Sequence, residues 1–176
     1  YTFYSWPSNR QHSIATVDFV TGWLSSNTDI DTSSVYHVSL DYENGQSVVE
    51  LLNQYYGQAD ITIEGRTMAP TDVSDWAPYV QEISNSSSQL ITGWLPAGPQ
   101  SSGFINAAER AGLNNNKQFC MVGDVTSLLS LNTASQSANG YYGTHHYSKD
   151  WDTDLNSRMI EWYNDNFDSP GVNMVT

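Results

Sequence analysis

The stretch VYHVSLDYENGQSVVELL, residues 35–52, decides the fold. With the two serines before it, SSVYHVSL (residues 33–40) is rich in β-branched and aromatic residues and reads as a strand. Asp41 to Gly45 make a turn. Val48, Leu51, Leu52 and Tyr55 then follow at the i, i+3, i+4, i+7 spacing of one helix face. A strand that runs through a short turn directly into a helix is the first half of a βαβ unit.

Working outward, the same unit recurs. A second strand is expected at about residues 60–65 (DITIEG). Val73, Trp76, Ala77 and Val80 repeat the helical spacing after Thr71 and Asp72, which have the chemistry of an N-cap and a first-turn acid. Gln89 to Leu95 is a third strand. Phe104, Ala107, Ala108 and Ala111 make the next helical face, ended by Gly112. Gln118 to Val122 is a fourth strand, a short helix is expected near Val125 to Leu131, and a fifth strand at about Gly140 to Tyr147. A last amphipathic helix takes in Leu155, Met159, Trp162 and Tyr163. Upstream, Ile14, Val17 and Leu24, with Val20 and Trp23 beside them, fit a helix behind the punctuation of Pro7 and Ser8. Strand and helix alternating this regularly predict an α/β fold: a doubly wound, mostly parallel five-stranded sheet with helices on both faces. A chain of 176 residues suits one such domain.

Nineteen acidic residues against six basic ones give a net charge of -13, although charged residues are only 14% of the chain. So anionic a surface repels phosphate backbones, whose affinity for proteins comes largely from Lys and Arg, and nucleic acid is excluded as a partner. Aspartate outnumbers glutamate about two to one, a balance that suits strongly salted surroundings, where screening removes most of the self-repulsion. Cys120 is the only cysteine, and its apolar neighbours in QFCMVG place it in a buried strand. No run approaches the length of a membrane span, and a start at Tyr1 without Met or signal sequence suggests a processed or partial product.

In an open parallel sheet, ligands bind outside the carboxyl ends of the strands. Here those ends are Asp41 to Asn44, Trp94 to Ala97, Asp124 to Ser127 and His145 to Tyr147. Tyr42 offers an aromatic wall and a hydroxyl, or else a packed lid over its turn. Trp94 offers a flat apolar or cation-π surface, or else core filling. Asp124 offers a charge-assisted bond, or else an N-cap for the helix at Val125. Thr126 and His145 complete the candidate set. His145 and His146 are neighbours on a strand and point to opposite faces, so they do not hold one metal between them. Asp150, Asp152, Asp154 and Glu161 match positions 1, 3, 5 and 12 of a calcium loop, yet Leu155 stands where the sharp turn needs Gly. They are read instead as acids at a helix N-terminus. No metal and no cofactor is expected. Nor is an enzyme: there is no Gly-x-Ser-x-Gly elbow, no His-Glu-x-x-His and no glycine-rich phosphate loop. Asn85-Ser86-Ser87 is an acceptor pattern for N-glycosylation in an exposed loop.

Several strings, in order, resemble the type I periplasmic solute-binding proteins of branched-chain amino-acid ABC transporters. YTFYSWPSNRQ resembles the segment that crosses from the first lobe to the second, with Tyr4 where the family often has Arg. VYHVSLDYENGQSVVELL resembles its strand, Asp-Tyr-x-x-Gly turn and helix. TMAPTDVSDWAPYVQEISNSSSQLITGWLPAG is similar to the stretch in which a Thr-Asp pair opens a helix. FINAAERAGL is similar to a helix ending in Ala-Gly-Leu, and GYYGTHHYSKDWDTDLNSRMIEWYNDNF to the strand that leaves the second lobe with a first-lobe helix behind it. The resemblance implies a crossing segment at residues 1–8, a ligand-binding second lobe at 9–147, and a truncated return to the first lobe at 148–176. It places Tyr42 at the cleft and Asp124 where the family contacts a ligand ammonium. It implies capture of a branched-chain amino acid or related small molecule by hinge closure, a membrane ABC permease as partner, and an extracellular or periplasmic location with a surface anchor. A ligand-sensing domain of a receptor or regulator shares the fold and is the alternative. Family members are about twice this length, so the first-lobe half of the clamp is absent.

Overall fold

Polar punctuation sets the start of the first helix in this computed structural model, which describes residues 7–145 and 152–166. Ser8 accepts from the Gln11 N–H while the Gln11 side chain accepts from the Ser8 N–H, a capping box that opens α1 (Asn9–Asp18). The helix widens to a π-helical segment, Phe19–Leu24, and ends in a further turn, α2 (Ser25–Asn27). Then come β1 (Ser34–Leu40), α3 (Glu43–Gln58), β2 (Thr62–Ala69), α4 (Ala77–Asn85), β3 (Leu90–Trp94), α5 (Pro99–Arg110), β4 (Gln118–Val122), α6 (Leu128–Ala134), β5 (Tyr141–Thr144) and α7 (Asp154–Asn166).

The strands form one sheet in the order β2-β1-β3-β4-β5, and every pair is parallel. Because strand side chains alternate between faces, each buried strand feeds two cores. Val38, Leu40, Ile91, Phe119 and Met121 pack with Trp76, Val80, Ile83, Phe104 and Ile105 on the α4/α5 face. Val35, Leu90, Cys120 and Val122 pack with Val17, Leu24, Val48, Leu52 and Tyr56 on the α1/α3 face. Helices therefore cover both faces, as the alternation requires. Burial pushes the Cys120 thiol up to about 12, which suits an inert core position.

Two elements differ from the sequence expectation. β2 continues to Ala69 because Gly65 does not end it. The Tyr36 ring from β1 lies over that glycine, so a Cβ there would come within 2.9 Å of Tyr36 Cε2. The next helix starts at Ala77, not at Val73, and Thr71 and Asp72 do not cap it. Pro78 explains the shift: in a helix begun at Val73 it would fall in the interior and lose a backbone bond, whereas at the first turn its missing N–H costs nothing. Asp75 Oδ1 accepts from the Ala77 N–H at 2.9 Å instead. β5 extends over four residues, and the expected residues 146–147 of that strand lie outside the described ones.

The α1/α3 face buries the imidazole of His37. His37 on β1 is fully buried, 6.0 Å from the Tyr56 ring, and neither ring nitrogen makes a hydrogen bond. Burial holds its pKa down at about 4; Asn53 beside it works in the opposite sense and the Arg66 charge in the same sense. The neutral form is the one the core accepts.

Candidate functional site

At the end of β1 the chain turns within a few residues. Tyr42 is extended (φ -156°, ψ 172°) and its carbonyl accepts from Gln46 N–H at 2.9 Å, which starts α3. Gly45 makes this turn possible, since a Cβ there would fall onto the Leu40 carbonyl oxygen and lie 2.7 Å from Ser39 Oγ. Ser39 Oγ in turn donates to the Trp94 carbonyl at 2.9 Å, joining the carboxyl ends of β1 and β3. The result is an aromatic pair, Tyr42 and Trp94, with ring centroids 5.7 Å apart and planes tilted by 52°. Both rings are half-buried.

The position of this pair follows from topology. In the order 2-1-3-4-5 the connections on either side of β1 and β3 run over opposite faces, which leaves a crevice between these two strands at their carboxyl ends. Tyr42 and Trp94 stand at that crevice. Beside them is a concavity of about 370 Å³ lined by Asn9, Tyr42, Glu43, Asn44 and Ser47. Asn9 Nδ2 donates to Asn44 Oδ1 at 2.8 Å across it, so the first turns of α1 and α3 meet at the rim.

The second group lies at the ends of β4 and β5. Gly123 takes a left-handed φ of 67° and donates its N–H to the Thr144 carbonyl at 3.2 Å. A Cβ on Gly123 would approach Trp94 Cδ1 to 3.8 Å and His12 Nδ1 to 3.7 Å, which puts this turn against the aromatic pair and the buried His12. Asp124 opens a single 3-10 turn, Asp124–Thr126, and α6 begins at Leu128. Thr126 Oγ1 and His145 Nε2 are hydrogen-bonded at 3.0 Å. Thr144 Oγ1 meets Thr16 Oγ1 at 2.8 Å, fastening the end of β5 to α1.

The five candidate positions thus fall at the same end of the sheet: Tyr42 touches Trp94, Thr126 touches His145, and Asp124 opens the turn between the two pairs. Asn44 lies inside the turn that carries Tyr42, within the deciding stretch of sequence. Asn9 and His12 come from a helix far earlier in the chain, and no spacing relates them to the strand ends. Among the described residues, no three His, Cys, Asp or Glu side chains are grouped to hold a metal, and no helix is long and apolar enough to cross a membrane. His146 and Asp150 lie outside the described residues. Thr153, ahead of Asp154, caps α7 by accepting from the Asn156 N–H at 3.2 Å, so Asp154 sits in a first helical turn. Asn85 ends α4 and is exposed.

Residues 1–176, the whole chain, match the family described as periplasmic binding protein. The chain belongs to that family. The Leu/Ile/Val-binding protein homolog 6 of Brucella abortus is 27% identical to this periplasmic binding chain over 134 residues, which are 76% of the chain and 34% of that protein. The chain thus spans about a third of the length of the curated relatives it matches. Among solved structures, a solute-binding protein of an ABC transporter from R. palustris, in complex with 4-hydroxybenzoate, superposes with a TM-score of 0.79 at 20% identity, over 94% of this chain and 43% of that one. A branched-chain amino-acid ABC transporter protein from Thermus thermophilus with bound valine gives a TM-score of 0.73 at 14% identity, over 94% and 41%. At these identities the likeness is one of fold. It makes the present sheet and its helices one lobe of a periplasmic binding fold.

Proposed function

We propose that this lobe is the ligand-binding second lobe of a solute-binding protein that serves an ABC importer. It closes by hinge motion with a first lobe on a branched-chain amino acid or related small molecule. The observation that carries the reading is the Tyr42–Trp94 pair at the β1/β3 crevice, the place where a doubly wound sheet receives its ligand. Valine and 4-hydroxybenzoate, held by the two structures named above, share one carboxylate on a small apolar body, which suits an aromatic wall flanked by hydroxyl and amide groups. On this reading residues 1–8 cross between the lobes, residues 148–176 are a crossing and a truncated helix of the first lobe, and Tyr42, Trp94, Asp124, Thr126 and His145 are the residues of the ligand-binding site. The partner is a membrane permease and the location extracellular or periplasmic, with the full-length protein anchored at the surface. No covalent step is needed.

Native mass spectrometry of the full-length polypeptide tests this, followed by a thermal-shift panel of valine, leucine, benzoate and 4-hydroxybenzoate. A small carboxylate that co-purifies, or one that at about 100 times its Kd adds about 2.7 kcal/mol to stability, supports the reading. A tightly held metal with no organic ligand and no shift from any of the four would overturn it.

A further inference from the structure

Gly143, inside β5, has no room for a side chain. A Cβ on it would fall onto Thr126 Oγ1 and lie 3.1 Å from both Thr126 Cβ and Thr126 Cγ2. Carbon atoms pack at about 3.5–4.0 Å, so the two residues exclude one another unless position 143 is glycine. Backbone conformation is not the cause, because Gly143 is absent from the glycines with positive φ. Space is. The glycine is a socket, and Thr126 fills it.

From that socket Thr126 Oγ1 reaches His145 Nε2 at 3.0 Å. His145 lies two residues beyond Gly143, on the same face of the extended chain. Thr126 ends the turn Asp124–Thr126, which hangs from β4 through the left-handed Gly123. One side chain therefore pins the turn after β4 to two positions at the end of β5. A backbone bond from the Gly123 N–H to the Thr144 carbonyl, at 3.2 Å, joins the same junction.

We propose that Gly143, Thr126 and His145 form a latch that fixes the Asp124–Thr126 turn at the cleft rim, so that Gly143 and His145 act as positioning residues for ligand binding. The latch itself stands on geometry; only its consequence for binding rests on the solute-binding reading above. Thr126 acts by holding the turn and not by touching the ligand, so affinity depends on a residue that has no side chain at all.

The test uses the full-length polypeptide and the variants Thr126→Val, Thr126→Ser, His145→Gln and Gly143→Ala. The first readout is ligand-free amide exchange. Thr126→Val and Gly143→Ala are expected to speed exchange at Gly123 to Thr126 by about tenfold or more while the β1 and β3 amides keep their protection. Thr126→Ser, which keeps the hydroxyl, restores it. Since both changes release one contact, the Gly143→Ala/Thr126→Val double variant exchanges no faster than the worse single one. Unchanged exchange in Thr126→Val, which needs no added bulk to fold, or additive effects in the double variant, overturns the latch.

The second readout is the Kd for L-leucine and for 4-hydroxybenzoate as probes. Thr126→Val, His145→Gln and Gly143→Ala are expected to weaken a probe by similar factors. A loss confined to Thr126→Val makes Thr126 a direct contact and overturns the positioning role. If the parent protein takes up neither probe, the solute reading is what suffers, and the exchange pattern still decides the latch.

Discussion

At the amino end of the sheet, a single carboxylate on β2, Glu64, accepts from the backbone N–H groups of Ser87 and Ser88 and from the hydroxyls of Ser86, Ser87 and Ser88. Lys117 Nζ closes the same loop from the other side, donating to the Ser86 and Ser88 carbonyls at 2.7 Å each. Gln89 Oε1 accepts from the Asp31 N–H, and the Ser34 and Ser88 hydroxyls meet at 2.9 Å. At the carboxyl end the aromatic pair, the Asn9–Asn44 bridge and the Thr126–His145 contact leave half-buried rings over a concavity. The same five strands supply both ends. One end is closed by a dense set of its own hydrogen bonds; the other presents half-buried rings beside a concavity.

Substitutions at the two ends should therefore separate stability from binding, and the largest effect is expected where the ends are joined. Gly93 in β3 has φ 142°, and a Cβ there would fall onto the Val38 carbonyl oxygen. Gly93→Ala is expected to cost about 3–5 kcal/mol in denaturant unfolding and to abolish binding with it. A variant that folds normally would show that β1 and β3 do not approach as described.

Next in size is an acid effect from the α1/α3 core, away from both ends. The folded pKa of His37 is depressed to about 4 from 6.5, so the unfolded chain takes the proton first. Stability from this group is complete above pH 6.5 and is lost as pH falls toward 4, by about 3 kcal/mol in all. Urea unfolding at a series of pH values reads it, and His37→Leu is expected to flatten the slope in that window. The Glu64 carboxyl, held at about 2 chiefly by the Ser88 hydroxyl, acts at lower pH. Its contribution is present above pH 4.5, is lost as pH falls toward 2, and stays small because the group is exposed and screened.

Smaller again, Lys117→Met at the closed end removes two bonds to carbonyls. It is expected to cost about 1–2 kcal/mol of stability with ligand affinity unchanged. Tyr42→Ala at the open end should do the reverse: below about 1 kcal/mol in stability, since the ring is only half-buried, and about tenfold or more in ligand Kd. Calorimetry of the full-length polypeptide with and without ligand measures both. If Lys117→Met weakens binding as much as Tyr42→Ala does, the division between the two ends fails.

Much of the architecture was legible before any coordinates. The β-branched and aromatic content of VYHVSL and the period of 3.6 in VVELLNQYY are local properties, and the regular return of such pairs left few topologies other than a parallel sheet wound on both sides. Boundaries were less legible because some depend on partners. Gly65 looks like an end until Tyr36 lies over it, and Thr71-Asp72 looks like a cap until Pro78 moves the helix start. The strand ends, and with them Tyr42, Trp94, Asp124, Thr126 and His145, could be named from the sequence because a strand's carboxyl end is set by the strand itself.

Which of those residues meet was beyond the sequence. Tyr42 and Trp94 are 52 positions apart, and they touch because strand order places β3 beside β1. Asn9 reaches Asn44 across 35 positions because α1 and α3 share one face. Gly143 is required by a threonine 17 residues earlier, and nothing in either residue's neighbours announces it. Sequence alone determined the elements, their order and the end of the sheet that carries candidate chemistry, because those follow from local periodicity. Tertiary structure alone decided the pairings and the empty space between them, because contacts between distant segments exist only once the sheet has chosen its order.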